Sequence, residues 1–448
     1  GADAGLQRRR HPLVHIQAEH PFVARLGDGK LLLPAEAEPF LFDYPAAAHL
    51  GNGARFVLGA RIDHQHLIGK RHAVDAVTDL CRCILGNDDD RQRNFFDRHG
   101  HTLETNGGIV IEPARRGLRY NRPMRVLLVK LSSLGDVIHN LPVVSDLIHA
   151  RPDAQIDWAI ESPYAEIAAL HCGVREVLPV PLRQLKKNWT STAAWSAFLA
   201  ARARLTERRY DHILDTQGLL KSAWVAHWPE GLRDGFDAAS AREPLAARTY
   251  QRVHAVPRNL HAVTRNRQLA AQSFGYALDG PADYGLSAPD LAIDWLPASP
   301  YAVFLHATSR ANKMWPDASW IALGEHLRTC GVRIVLPWGN QAERDTAERL
   351  ARALPNALLA PGMTLLHAAV MLSRATIVVG VDTGLAHLAV ALQRPTVGIY
   401  ITTRPELTGL HGGESAVNLG GGDEHAPSIP GCDLVWRTVQ PWLPASGS

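Results

Sequence analysis

The strongest constraint on this chain is a unit that recurs from Met124 onward: a short apolar run, a turn rich in glycine or serine, then a helical stretch. The first such run is Arg125-Val126-Leu127-Leu128-Val129-Lys130. It leads through the turn Leu131–Gly135 into a helix carrying Val137, Ile138, Leu141, Val144 and Ile148 on one face. Runs that are apolar at successive rather than alternate positions belong to strands covered on both faces. Similar runs fall at Ile156–Ile160, Val177–Val180 and Tyr210–Leu214, separated by helical stretches such as Thr192–Arg208. Prolines 281, 289, 297 and 300 then mark a linker, after which the pattern restarts. The second series reads as strand Tyr301–Leu305, helix Asp317–Thr329, strand Val332–Leu336, helices Gln341–Leu354 and Leu365–Ser373, strand Thr376–Val379, helix Thr383–Leu392 and strand Thr396–Ile399. Strands alternating with helices predict an α/β protein with parallel sheets, and the restart predicts two doubly wound halves. A ligand cleft then lies between the carboxyl edges of the two sheets. The expected domains are 124–290 and 299–430, with a tail, 431–448, that packs back on the first.

With 448 residues the chain is long enough for two or three domains, and its 46% hydrophobic content is that of a globular protein. A net charge of +3 is too small to indicate nucleic acid. The cysteines (Cys81, Cys83, Cys172, Cys330, Cys432) are scattered and odd in number, so a reducing cytosol fits better than a disulfide framework. No apolar run approaches the ~20 residues that span a bilayer, and no N-terminal stretch has the apolar core of a secretory signal. The expectation is a cytoplasmic protein, at most resting on a membrane. Residues 1–123 read differently. Gly, Ala, Arg and Asp break every periodic pattern, and only pieces such as Phe56-Val57-Leu58 and Ile109-Val110-Ile111 resemble strands. This region is expected to be a poorly structured or non-native extension. Cys81 and Cys83 lie near His64, His66, His72, His99 and His101, but a C-x-C pair without a second spaced pair does not make a zinc site. No metal is expected.

Four segments carry chemistry. In Lys130-Leu-Ser-Ser-Leu-Gly135-Asp136-Val-Ile-His139 a carboxylate falls in the first turn of a helix that follows a strand. Asp136 there suits a general base facing a cleft, or simply a charge that complements the helix dipole. Val381-Asp382-Thr383-Gly384-Leu-Ala-His387 opens a helix after an apolar strand. Its free backbone N–H groups suit a diphosphate, with His387 one turn along; a capped core helix with a buried histidine fits the same letters. Leu305-His306-Ala307-Thr308-Ser309-Arg310-Ala-Asn-Lys313-Met-Trp315-Pro316 offers two hydroxyls and a lysine to phosphate oxygens. In Leu336-Pro337-Trp338-Gly339-Asn-Gln-Ala-Glu343, a carboxylate after a strand-end glycine suits ribose hydroxyls.

Together these segments closely resemble glycosyltransferase family 9, the ADP-heptose:lipopolysaccharide heptosyltransferases, and among them the enzymes that add the first heptose. The resemblance spans Met124 to about Leu443. It implies the two-domain GT-B fold, no cofactor, and inverting transfer of L-glycero-D-manno-heptose from ADP-heptose to the Kdo residues of Kdo2-lipid A. It further implies Asp136 as general base with Lys130 beside it, and Thr308, Ser309, Lys313, Thr383 and Gly384 on the diphosphate, with His387 near. Glu343 falls to the ribose, Met363 to the adenine and Asp382 to the donor heptose. The family often has a second threonine where Ser309 stands, and residues 1–123 have no counterpart in it. An acceptor bearing phosphates and carboxylates needs cations. Arg183, Lys186 and Lys187, read as a loop, together with Arg242, His261 and Arg265 are the candidates. Anionic lipid would attract the same face, giving peripheral contact with the inner membrane. From Met124 onward there is no Asp-x-Asp pair for a metal. The other readings left open are addition of the second heptose, another ADP-heptose transfer, and a non-catalytic ADP-sugar binding module.

Overall fold

The computed structural model describes residues 123–444 except Ser309, together with the backbone of five short strands in the first 122 residues. Those strands are β1 (Val14–Ile16), β2 (Phe22–Gly27), β3 (Lys30–Leu32), β4 (Pro39–Asp43) and β5 (Arg55–Gly59). They form a three-stranded antiparallel sheet, β1-β2-β3, and a separate antiparallel pair in which Phe42 lies opposite Phe56. The Phe56-Val57-Leu58 piece is thus a strand, whereas Ile109–Ile111, Cys81, Cys83 and the nearby histidines lie outside the described residues. The chain divides into two compact units between Arg122 and Pro123.

The second unit contains two six-stranded sheets. The first comprises β6 (Arg125–Val129), β7 (Gln155–Glu161), β8 (Val174–Val180), β9 (Arg209–Asp215), β10 (Glu230–Phe236) and β11 (Arg252–His254), in the order β11-β10-β9-β6-β7-β8. The second comprises β12 (Tyr301–Leu305), β13 (Arg333–Leu336), β14 (Ala357–Leu359), β15 (Ile377–Val381), β16 (Thr396–Tyr400) and β17 (Ala416–Gly420), in the order β14-β13-β12-β15-β16-β17. Every pairing in both is parallel, with Leu128 between Trp158 and Leu214 in one and Val303 between Val335 and Val378 in the other. The order in which the strands are added therefore reverses once in each sheet, between β6 and β9 and between β12 and β15. In doubly wound sheets the carboxyl ends of such strand pairs are where ligand crevices form. This is the α/β, GT-B-like architecture expected.

The central strands β12, β15 and β16 are buried at every position, as their uninterrupted apolar runs require. One hydrophobic cluster contains Val126, Leu128 and Leu214 of the first sheet together with Val303, Val335 and Val378 of the second. The halves meet where helix Leu134–Ile138 abuts helix Gly384–Ala391. Gly384 allows the approach: a Cβ there would lie 2.7 Å from Cβ of Leu134.

One expectation needs correction. The single helix read after Gly135 is two, Leu134–Ile138 and Leu141–Ala150. Pro142 lacks the N–H that a continuous helix would direct at the Ile138 carbonyl, so the second helix starts afresh with proline in its first turn. Among the described residues of the tail, the helix packs on the second half. Helix Cys432–Val439 inserts Val435 and Val439 into the second half's core, and Trp436 stacks on His326 at 4.9 Å.

Candidate functional site

Lys130 immediately follows β6, and its side chain turns inward. Its Nζ donates to the Thr216 carbonyl (2.9 Å) beyond β9 and to Asn266 Oδ1 (3.5 Å), so it ties together the two strands flanking the first crevice. Burial lowers its pKa to about 8, with the Asp136 charge opposing that shift. Gln217 pins the next turn, accepting from Leu131 N (2.7 Å) and donating to the Ser132 carbonyl (2.9 Å). Asp136 occupies the third position of helix Leu134–Ile138, and its Oδ2 accepts from Ser133 N at 3.1 Å. Arg242 grips the same carboxylate, Nη2 to Oδ1 at 2.5 Å and Nη1 to Oδ2 at 3.3 Å. Burial would raise the Asp136 pKa, but Lys130 and Arg242 outweigh it and hold the group ionised below its ordinary range.

The second crevice gathers the other constellation. Asp382 and Thr383 follow β15, with Thr383 the N-cap of helix Gly384–Ala391. Lys313 Nζ contacts Asp382 Oδ2 at 2.6 Å, Thr403 Oγ1 donates to the same oxygen at 2.9 Å, and Thr308 Oγ1 donates to the Asp382 carbonyl at 3.0 Å. Thr308, Lys313, Asp382, Thr383 and Gly384 are thus brought together; Ser309 lies outside the described residues. Glu343 stands beyond β13, its oxygens accepting from Gly339 N and Asn340 Nδ2, each at 2.7 Å. Met363, beyond β14, is half-buried against the core. Both lie along the same carboxyl edge, stepping outward from the crevice.

His387 joins the two sites. Its Nδ1 is 3.2 Å from Nε2 of His139, whose ring meets His261 edge-on at 5.4 Å, and His261 in turn lies 4.8 Å from His411. Burial lowers the pKa of all four, His387 and His261 to about 4, so these rings are neutral at pH 7. His261 also caps helix Ala262–Phe274, with Nδ1 accepting from Val263 N and Nε2 3.0 Å from the Gly409 carbonyl. Both its ring nitrogens are therefore engaged.

Arg183, Lys186 and Lys187 occupy helix Leu182–Lys187 rather than a loop, because the chain turns directly after Pro181 into a helix ending in the two lysines. Arg183 Nη1 donates to Tyr164 Oη at 2.7 Å, while Lys186 and Lys187 are exposed. Arg265 donates to the Ser240 carbonyl (2.5 Å) and lies over Phe236. Sequence reasoning missed Glu161 and Lys221. Glu161 is buried at the end of β7, accepts from Arg183 N (3.2 Å), and has its pKa raised by burial. Lys221 Nζ donates to Ser132 Oγ at 2.8 Å. A strand-end carboxylate was the available signal for Glu161; Lys221 and Asn266 carry none.

Residues 198–430 match the family glycosyltransferase family 9 (heptosyltransferase). Lipopolysaccharide heptosyltransferase 1 of Pseudomonas aeruginosa is 46% identical over 308 residues, covering 68% of this chain and 86% of that protein. The E. coli heptosyltransferase WaaC with ADP superimposes with a TM-score of 0.65 at 37% identity, covering 71% of this chain and all of that one. WaaC with ADP-2-deoxy-2-fluoro heptose gives 0.62 at the same identity and the same 71% of this chain, with 99% of its own length. The chain belongs to glycosyltransferase family 9, the heptosyltransferases.

Proposed function

We propose that this enzyme moves L-glycero-D-manno-heptose from ADP-heptose to a Kdo residue of Kdo2-lipid A with inversion. It thereby adds the first heptose of the lipopolysaccharide inner core, working against the cytoplasmic face of the inner membrane. The observation that carries the reading is Asp136, an ionised carboxylate at the first sheet's reversal point, on the helix that abuts the helix start at Gly384. The names of the relatives and the ADP-bound WaaC structures support the donor.

In this reading Asp136 takes the proton of the attacking acceptor hydroxyl. The hydroxyl oxygen bonds to the anomeric carbon as the bond to the ADP oxygen breaks, and attack from the far side inverts the centre. Charge growing on the leaving diphosphate is met by Lys313, by the hydroxyls of Thr308 and Ser309, and by the backbone N–H groups from Thr383 and Gly384, with His387 adjacent. Glu343 holds the ribose, Met363 flanks the adenine, and Asp382 contacts the heptose. Arg242 must leave Asp136 for the base to work, and an anionic acceptor offers it another partner. Arg183, Lys186, Lys187 and Arg265 supply further positive charge, and His261 borders that region.

The test is turnover of ADP-heptose, in the presence of EDTA, on Kdo2-lipid A acceptors that carry or lack the first heptose. Transfer to the heptose-free acceptor alone is expected. Preference for the heptose-bearing acceptor would assign the second addition, and donor binding without turnover would make the chain a binding module.

A further inference from the structure

The first half carries an aromatic ridge that the chemistry above leaves unused. Trp189, Trp195, Leu199 and Trp224 are exposed, Trp189 by 70% and Leu199 by 52%. The indole of Trp195 donates to the Trp189 carbonyl at 2.8 Å and meets Phe198 edge-on, and Phe198 stacks on Trp224 at 5.7 Å. Trp189, Trp195, Leu199 and neighbouring small residues line a shallow depression of about 760 Å³. A continuous exposed apolar surface of this kind marks an interaction site.

Its surroundings select the partner. From Pro181 to Thr206 the sequence has no Asp or Glu but has Arg183, Lys186, Lys187 and Arg202, with Arg204 already paired to Glu176, and from Thr216 to Pro229 its only charge is Lys221. Helix Leu182–Lys187, with its exposed lysines, packs beside helix Thr192–Thr206, which carries the ridge. Indoles and leucines rimmed by lysine and arginine are suited to the headgroup layer of a bilayer rather than to a dry protein interface. We propose that this ridge seats the enzyme on an anionic phospholipid bilayer, with Trp189 and Leu199 entering the headgroup layer. Lys221, on the helix of Trp224, donates to Ser132 in the Asp136 turn, so the seated surface adjoins the catalytic turn.

The inference rests on the lipid-borne acceptor proposed above, but its test does not depend on turnover. The full chain is sedimented with vesicles of phosphatidylglycerol in phosphatidylcholine, and with vesicles of phosphatidylcholine alone. Salt-sensitive binding to the anionic vesicles is expected. Trp189→Ser with Leu199→Ser should weaken it roughly tenfold or more, as loss of two buried apolar side chains implies. Melting temperature, ADP affinity and turnover on a deacylated, soluble Kdo acceptor should stay unchanged. Should the double variant melt early, Trp189→Ser alone, altering a side chain that faces solvent, carries the comparison. No binding to anionic vesicles, equal binding by the variants, or a dimer that the variants abolish would overturn the proposal. Vesicle binding as expected without turnover on the soluble acceptor would leave the seating intact and sink the proposed transfer reaction.

Discussion

Two roles coincide at Asp136. The carboxylate accepts from the N–H of the N-cap Ser133, as the third residue of a capping box does, and it is also held by Arg242 and lies within the field of Lys130. The amide oxygen of an asparagine in its place would still accept from the Ser133 N–H, so the two roles separate in one variant. Asp136→Asn should lower kcat by ~10²–10⁴-fold while leaving ADP-heptose affinity and melting temperature near normal. Kcat close to that of the unaltered enzyme would reduce Asp136 to a cap. Lys130 bears on the alkaline side. Its pKa is depressed to about 8, so the charge it sets near Asp136 is present below that pH and lost above it. The profile of kcat/KM against pH, which reports the free enzyme, should fall as pH rises through about 8. Lys130→Arg, which keeps its charge, should remove that fall; a limb unchanged in the variant would assign it elsewhere. The same reasoning gives stability a sign. Between about 8 and the ordinary lysine value the unfolded chain binds the extra proton, so this group's contribution to stability rises with pH there.

At the scale of elements, legibility followed burial. Strand Tyr301–Leu305 and helix Asp317–Thr329 coincide with their sequence reading because one is apolar throughout and the other has a clear apolar face. β10 and β11 escaped notice because their letters, EGLRDGF and RVH, are polar. Their buried charge is matched in space: Asp234 accepts from Arg252 at 2.6 Å and lies within hydrogen-bond distance of His212 and His254. Helix Ala262–Phe274 hid for the same reason, since its buried Arg267 pairs with Asp146 from a distant helix. Charges that neutralise one another across the fold leave no apolar signature in a single segment. Turn and cap chemistry is readable locally, which is why Asp136, Asp382 and Thr383 stood out as candidates, whereas the pairing of Asp136 with Arg242, itself a candidate for the acceptor, and the placement of Lys221 and Thr403 depend on tertiary proximity. The contact between the two helix starts also yields a prediction. Gly384→Ala would drive a methyl to 2.7 Å from Leu134 Cβ, too close to be absorbed by a flexible side-chain end. Overpacking of this kind costs ~1–3 kcal/mol. The variant should melt several degrees lower, and an unchanged melting temperature would mean that the helices separate freely.

For the whole molecule, the division at Arg122/Pro123 and the family resemblance from Met124 onward give one expectation: residues 124–448 alone should fold and transfer heptose at the full rate. Loss of activity in that shortened chain, with the full chain active, would give the first 123 residues a role. The shared hydrophobic cluster has a further consequence. Because side chains from both sheets lie in one core, neither half can lose its packing without exposing the other. Heating residues 124–448 should therefore give a single calorimetric transition rather than two. ADP, which the proposed donor site would place on the second half, should move that one transition upward as a unit by mass action. Two resolved transitions, with only one of them shifted, would show that the halves melt independently. Cooperativity of this sort would make nucleotide occupancy a stabiliser of the first half as well, so an enzyme with its donor loaded would also be the enzyme most resistant to thermal loss.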